Sequence, residues 1–148
     1  AAYSFPCSVK LRSIMPDYAD VAIRAVSELH SGRAISVRDA WDNAAVEVFP
    51  SSPSMQVKSC PRTTFLTLCA SGAVKGLTAT GVVRDSENSR HAQDCLTLLA
   101  KHPNYLSMAP RQLWSLVTNS SGKAYNQQIH VILGLAKARL LREDKNIG

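Results

Sequence analysis

The sequence predicts an all-α fold of six helices. Apolar residues recur at helical spacing in six segments, and capping residues, prolines or glycines bound most of these segments. Aromatic residues make up only 6% of the chain, so a core must be built mainly from leucine, valine, isoleucine and alanine, which suits packed helices. At 148 residues, with 45% hydrophobic and 19% charged residues, the chain has the size and composition of one globular domain.

The first two helices are bounded by residues that start and stop helices. Asp17 is expected to cap a first helix over residues 18–30. Gly32 ends that helix, because glycine readily adopts the left-handed conformation that follows a last turn. Ser36 opens the second helix with a capping-box pattern, and the two prolines and three serines after Phe49 end it.

The third helix and the segment after it differ in pattern. Cys60 and Pro61 begin the helix, because proline is favoured at the first helical position, and Gly72 closes it. From residue 73 to residue 88, valines and leucines are interleaved with glycines and threonines. A small β-hairpin at residues 73–83 and an ordered loop both fit this pattern.

The second half predicts three more helices. The fourth covers residues 89–101 and stops at residues 102–103, and Pro110 opens the fifth. After a turn at residues 119–122, the sixth covers residues 124–142 and is apolar on nearly every side. A helix with that character is typically central and buried.

The two halves resemble each other. Residues 16–77 and residues 86–142 each contain a helix, a second helix with a tryptophan, a lysine and an apolar third helix. We interpret them as pseudo-repeats, two tandem three-helix units of helix-turn-helix type that arose by duplication. Trp41 and Trp114 then serve as matching core anchors. The alternative is coincidence among short helices.

Residues 1–14 are kept outside this fold, and residues 15–148 are expected to form one helical domain. The helical pattern starts directly after Met15, so residues 1–14 are interpreted as an N-terminal extension, either foreign to the native chain or an arm that packs on the domain. They lack the basic start, apolar middle and cleavage site of a signal peptide. Since no apolar run approaches the roughly 20 residues that span a bilayer, we expect a cytoplasmic protein that does not associate with membranes.

The cysteines do not predict a metal site or a disulfide framework. The four of them show neither a CxxC pair nor a zinc-ligand spacing. They are Cys7, Cys60, Cys69 and Cys95. Free thiols in a reducing compartment are the simplest interpretation, and neither a metal nor a cofactor is expected.

The charge of the chain indicates the kind of partner. Lys and Arg number 17 against 11 Asp and Glu, which gives a net charge of +6. A basic chain is attracted to nucleic acid, phosphate-bearing ligands or acidic partners. The basic residues are scattered rather than clustered, so the charge alone does not select among these partners.

Two helix starts predict an anion-binding site. The first turn of a helix presents unpaired backbone N–H groups and a partial positive charge. If the halves pack with twofold pseudosymmetry, the starts of the third and sixth helices face one cleft. The predicted contacts to phosphate or to a base are Lys58, Ser59, Arg62, Lys123, Asn126 and Gln128. The alternative is that the lysines are solvated and the polar residues only cap helices.

Cys60 is the candidate catalytic residue. A cysteine at a helix start beside basic residues can be held as a thiolate and act as a nucleophile, provided that a base is near. His130 is the candidate base if the sixth helix turns that side towards Cys60. The alternative is a capping thiol packed under the helix, and no motif of the common hydrolases, nucleotide-binding loops or zinc peptidases accompanies it.

Several short motifs, taken together, resemble a known family. They are Lys58-x-Cys60-Pro61, Phe65-Leu66-x-Leu68-Cys69, Gly72, Val74-Lys75-Gly76 and Asn126-x-Gln128-x-x-Val131. Over residues 16–141 the chain is similar to an uncharacterised family of small bacterial proteins, which is catalogued as a domain of unknown function. Thr67 departs from the family, which has glycine at that position. The resemblance implies no activity.

These observations lead to three hypotheses of function. The leading one is a non-enzymatic binding module for a phosphate-bearing ligand, with nucleic acid as the favoured ligand. A protein–protein interaction module and a thiol-dependent enzyme that uses Cys60 are the alternatives. The apolar third and sixth helices weigh against exposure in a nucleic-acid groove, and the sequence does not indicate an oligomeric state.

Overall fold

The computed structural model describes residues 15–143, which form six α-helices of eight residues or more. They are α1 (Tyr18–Ser31), α2 (Val37–Val48), α3 (Ser59–Ala70), α4 (Glu87–Lys101), α5 (Pro110–Val117) and α6 (Gln128–Lys137). A single α-helical turn at Pro53–Gln56 and a 3₁₀-helix at Pro103–Ser107 complete the regular structure of this range. Because residues 15–143 contain no strand, the predicted all-α class with six helices is confirmed. The predicted extension at residues 1–14, with Cys7, lies outside the described residues.

The predicted capping residues occupy the helix starts. Asp17 accepts hydrogen bonds from the first turn of α1, and the Asp20 carboxylate accepts from the Asp17 N–H at 2.9 Å, which completes a capping box. At the start of α2, Ser36 accepts from the Asp39 N–H at 3.0 Å. Gly32 follows α1 with a φ of 78°. A cap stabilises a helix by about 1 kcal/mol, so local sequence determines where these helices begin and end.

Helix α6 is the centre of the bundle. It packs against α1, α3, α4 and α5 and is buried on nearly every side. Its buried residues are Gln128, Ile129, Val131, Ile132, Leu133 and Leu135. Burial of one such aliphatic side chain contributes about 1.5–3 kcal/mol, so α6 supplies a large share of the hydrophobic stabilisation. Although α6 is apolar, no helix in residues 15–143 has both the length and the apolar character to cross a membrane.

The two halves of the described chain interlock. The first helix of each half packs on the last helix of the other half, α1 on α6 and α4 on α3, while α3 and α6 also contact each other. A single hydrophobic core therefore includes residues of both halves. This packing is compatible with twofold pseudosymmetry, and the tandem duplication with its repeat limits stays a prediction.

Helices α1 and α6 approach each other closely at Gly134. A Cβ atom added at this glycine would lie 2.5 Å from the Ala19 Cβ and 3.0 Å from the Ala19 Cα, which is too short for carbon atoms that are not bonded. Glycine destabilises a helix interior by up to about 1 kcal/mol relative to alanine. Here the missing side chain permits backbone contact and brings the start of α1 against α6.

An aromatic cluster fills the first half of the core. The Trp41 ring packs against the rings of Tyr18 and Phe65, with centroids 6.1 Å and 5.1 Å away. The Tyr18 ring also packs against Phe49, at 5.1 Å between centroids. Trp41 is completely buried, so this tryptophan anchors the core around which α1, α2 and α3 pack.

Residues 73–83 form an ordered loop rather than a β-hairpin. Gly76 and Gly81 both have a φ of 78°, at which the chain turns, and no strand forms within residues 73–83. Instead, an antiparallel bridge joins Val74 to Leu141 through two backbone hydrogen bonds of 2.8 Å. The partner of this segment is therefore distant in sequence, which explains why local pattern does not distinguish a loop from a hairpin.

Two short helices, the limits of α6 and the starts of α3 and α4 differ from the sequence-based expectation. Helix α3 begins at Ser59, so Pro61 is its third residue and not its first, and α4 begins at Glu87, two residues before the expected start. Pro53 and Pro103 each open a short helical segment, because proline suits a first helical position as well as it ends a helix. Helix α6 is shorter than the expected 124–142. Gln127 and Arg139 have φ angles of 65° and 62°, which interrupt helical geometry on either side.

Gly134→Ala should lower the free energy of unfolding by about 1–3 kcal/mol, because the added methyl group must displace α1 from α6. In a helix without such a neighbour, the same change stabilises by up to about 1 kcal/mol. Urea denaturation followed by circular dichroism measures the difference.

Ala19→Gly is the matched control for this contact. It removes the Cβ that the new methyl group meets, so Gly134→Ala should be less destabilising in the Ala19→Gly background than in the original chain. A Gly134→Ala protein as stable as the original would contradict the backbone contact.

Candidate anion-binding site

A cleft with a volume of about 200 Å³ opens where the starts of four helices meet. Tyr18 begins α1, and Arg111 is the second residue of α5. Lys58 and Gln127 directly precede α3 and α6. The lining residues are Tyr18, Lys58, Arg111, Tyr125, Asn126, Gln127 and His130. The bundle therefore gathers four helix N-termini around one cavity.

The cleft has a positive electrostatic character. The residues that precede α3 and α6 provide no side-chain cap, so partial positive charge remains at both starts. Lys58 and Arg111 add two full charges, and neither forms an ion pair with a carboxylate of residues 15–143. Asp17 contributes a negative charge nearby, and its carboxylate is engaged in the capping bonds of α1.

Tyr125 and His130 form a hydrogen-bonded pair in the wall of the cleft. The Tyr125 oxygen accepts from the His130 backbone N–H at 3.0 Å and also hydrogen-bonds to the His130 Nδ1, where the tautomer of the ring sets which group donates. Burial raises the pKa of Tyr125, which keeps the hydroxyl protonated. Burial also lowers the pKa of His130, which keeps the imidazole neutral near pH 7. In the tautomer with the ring proton on Nε2, the His130 Nδ1 accepts the hydroxyl proton of Tyr125.

Aromatic contacts hold Tyr125 in position. The centroids of the Trp114 and Tyr125 rings are 5.5 Å apart, and the Trp114 indole N–H donates to the Lys123 carbonyl at 2.9 Å. The Arg111 guanidinium lies 5.4 Å from the centroid of the Tyr125 ring, which is a cation–π distance. Tyr125 therefore orients both the His130 ring and the Arg111 side chain at the cleft.

The starts of α3 and α6 contact each other beside the cleft. The Asn126 side-chain nitrogen lies 3.8 Å from the Cys60 sulfur. The Asn126 backbone N–H donates to the Gln128 Oε1 at 2.7 Å, and the Gln128 Nε2 donates to the Asn88 Oδ1 on α4 at 3.1 Å. Because Gln128 is buried, these bonds tie α6 to α4.

The structure brings together two of the predicted contact residues. Lys58 and Asn126 both line the cleft, one from the start of α3 and the other from the start of α6. Ser59 is exposed at the first position of α3. Gln128 is buried, and both of its polar side-chain atoms are engaged within the protein. The contacts of these residues with a ligand stay predictions.

The other two predicted contact residues form ion pairs outside the lining of the cleft. Arg62 donates two hydrogen bonds to the Asp42 carboxylate, at 2.9 Å and 3.1 Å, and these bonds raise the pKa of Arg62. Lys123 pairs with Glu87 at 2.6 Å, and its hydrogen bond lowers the pKa of Glu87. Both pairs are partly exposed, so screening by water weakens the contribution of each to stability.

Five residues of the cleft are absent from the predicted contacts: Tyr18, Arg111, Tyr125, Gln127 and His130, the last of which is the predicted candidate base. Arg111 follows Pro110 at the start of α5, and the same proline–arginine order occurs at residues 61–62 in α3. That repeated order is a signal that could have indicated Arg111. Tyr18 has no such signal, because its place at the cleft depends on the packing of α1 against α6.

The described cysteines differ in their accessibility. Cys69 and Cys95 are buried, and burial raises the pKa of each thiol to about 12. Cys60 is half-buried near the start of α3. Within the part of the chain that the structure describes, no group of three or more His, Cys, Asp or Glu side chains could hold a metal ion. Of these three thiols, Cys60 is the one that a reagent reaches most easily.

Comparison with known proteins identifies a family without an assigned activity. The chain matches, over residues 15–142, the model of a family described as "Family of unknown function (DUF6979)". This match confirms the resemblance that the motifs indicate. No curated protein matches the chain, and no solved structure matches it.

Gln128→Leu should lower the free energy of unfolding by about 1–3 kcal/mol, because the Asn126 N–H and the Asn88 side-chain oxygen lose a buried partner. Chemical denaturation measures the loss. Gln112→Leu, at an exposed position of α5, is the matched control and should change stability by less than about 0.5 kcal/mol. Equal stabilities of the two variants would count against the tether between α4 and α6.

Proposed function

The chain belongs to this family of unknown function, and we propose from its cleft that it is a binding module for a phosphate-bearing ligand, with nucleic acid as the favoured class. One observation carries the proposal. Lys58 and Arg111, two cations without a carboxylate partner in residues 15–143, line the same cleft at converging helix starts.

The groups around the cleft match the chemistry of a phosphate. A phosphate monoester has several acceptor oxygens and up to two negative charges near neutral pH. Lys58 and Arg111 supply full positive charges, and a guanidinium can donate two parallel hydrogen bonds to a phosphate. His130 adds a neutral donor in its Nε2–H tautomer, and the uncapped start of α3 adds backbone N–H groups.

Overall charge and helix burial together define the mode of nucleic-acid binding that we propose. The net charge of +6 attracts a polyanion over a long range. Helices α3 and α6 bury half or more of their side chains, including Phe65 and Leu68, so neither helix is free to enter a groove. The contact is therefore to backbone phosphates, and it does not read the base sequence.

Lys58→Ala and Arg111→Ala should each weaken the binding of a mixed-sequence oligonucleotide about tenfold at ~50 mM salt, because each removes a charge-assisted bond to a phosphate. Each change should also reduce the slope of log affinity against log salt concentration by about 1. Fluorescence anisotropy with labelled single-stranded DNA and RNA measures both quantities.

Arg84→Ala is the matched control for charge, since Arg84 is exposed and lies outside the lining of the cleft. It should change affinity by less than about twofold. Equal losses in all three variants would mean that net charge, and not the cleft, determines binding. No binding of mixed-sequence DNA or RNA at low salt would overturn nucleic acid as the ligand.

A thiol-dependent enzyme is a second candidate, favoured by the contact between Cys60 and Asn126. Asn126 and His130 line the same cleft, so a thiol, an amide and an imidazole occur in one region. However, the His130 Nδ1 is already hydrogen-bonded to the Tyr125 hydroxyl. Within residues 15–143 the Cys60 sulfur has a hydrogen-bond contact with Asn126 and none with His130, which weighs against the enzyme.

Iodoacetamide should modify Cys60 of the folded protein near pH 7 at the slow rate of an unactivated thiol. Cys69 and Cys95 should stay unmodified, because their sulfur atoms are buried and burial raises their pKa values. Peptide mass spectrometry follows each cysteine separately, and unfolding in urea is the control that exposes them all. Reaction of Cys60 far faster than that of free glutathione would favour the enzyme over the binding module.

A protein partner is a third candidate, favoured by one exposed apolar residue. Val57 is 75% exposed and directly precedes Lys58, so an apolar side chain borders the cationic cleft. A partner with an acidic and apolar segment fits such a surface. A specific band that co-purifies with the protein and resists nuclease treatment would favour this candidate over nucleic acid.

A further inference from the structure

His130 lines the cleft, and the Tyr125 hydroxyl fixes its ring. One oxygen atom of Tyr125 contacts both the Nδ1 and the backbone N–H of His130. In the neutral tautomer with the ring proton on Nε2, the Tyr125 hydroxyl directs its own proton at Nδ1. In that tautomer, and before a ligand binds, His130 is a neutral hydrogen-bond donor through Nε2.

Charged groups from several elements act on His130. Burial disfavours the imidazolium most; Asp17 at the start of α1 favours it, and Arg111 on α5 and Lys137 on α6 disfavour it. Lys58, at the start of α3, also lines the cleft. An anion among these cations would compensate their repulsion of a charged imidazole, so the ligand and the proton favour each other.

We propose that the cleft takes up one proton together with its anion, and that His130 accepts the proton. This inference rests on the anion binding proposed above. The proton comes from the solvent and bonds to the Nδ1 of His130, and no other covalent bond changes. Tyr125 then becomes the acceptor at that nitrogen, and its hydroxyl proton is free to bond to the ligand. The imidazolium adds a third positive charge to those of Lys58 and Arg111.

Sulfate is a suitable probe because it keeps two negative charges from about pH 5 to about pH 8, so any proton exchanged on binding belongs to the protein. Isothermal titration calorimetry at low ionic strength, in two buffers with different heats of ionisation, counts that proton. We expect uptake of up to one proton near pH 6.5. Sulfate affinity should rise about threefold to tenfold as the pH falls from about 8 to about 6.

Two variants and one spectroscopic measurement assign the proton. His130→Gln should bind sulfate without proton uptake, whereas His102→Gln, which changes an exposed histidine outside the lining of the cleft, should behave like the original protein. In the original protein, the NMR signal of the His130 ring should titrate at a higher pH with saturating sulfate than without it. This last measurement needs no variant and so does not depend on the folding of one.

Failure of this inference is distinguishable from failure of the proposed function. Sulfate binding without proton uptake, uptake that persists in His130→Gln, or an unchanged His130 titration would overturn proton coupling and leave the anion site intact. Absence of sulfate binding at low ionic strength would overturn the anion site and proton coupling together.

Discussion

The backbone contact between α1 and α6 at Gly134 is the constraint on which the rest of the structure depends. Because this position has no side chain, the first turn of α1, at Ala19, lies directly against the middle of α6. The Gln127 Oε1 then accepts from the Tyr18 backbone N–H at 3.3 Å, which joins the two helix starts along one wall of the cleft. The shape of the cleft thus depends on a contact in which no lining residue takes part.

The convergence of four helix starts has an electrostatic cost, since their partial positive charges repel one another. The structure offsets this cost unevenly. Asp17 caps α1 with a carboxylate, and the Tyr125 hydroxyl accepts one first-turn N–H of α6. The start of α3 has no side-chain cap, and Lys58 adds a full charge there. The excess of positive charge is therefore left at the cleft, where a bound anion would relieve it and stabilise the folded chain at the same time.

Helix limits follow from neighbouring residues, and so they were largely predictable. Ser36 caps α2 through a hydrogen bond to the first turn of that helix, and this bond involves only residues that are close in sequence. The cleft was predictable only in part, because the folded structure determines which carboxylate lies within reach of a long cationic side chain. Arg62 bonds to Asp42 on α2 and Lys123 bonds to Glu87 on α4, and helical periodicity contains no information about either choice. The sequence pattern therefore predicted the convergence of two helix starts. It did not predict which cationic side chains remain without a carboxylate partner at that place.

The interlocked arrangement of the two halves has a consequence for biosynthesis. Helix α1 packs on α2 and on α6, and Val74 pairs with Leu141. A ribosome releases α1 early and α6 late, so the face of α1 that contacts α6 has no partner during most of translation. Helix α2 covers part of the apolar surface in the meantime. The nascent chain completes its core only after nearly all of the described residues have left the exit tunnel, and until then it exposes surface that chaperones recognise.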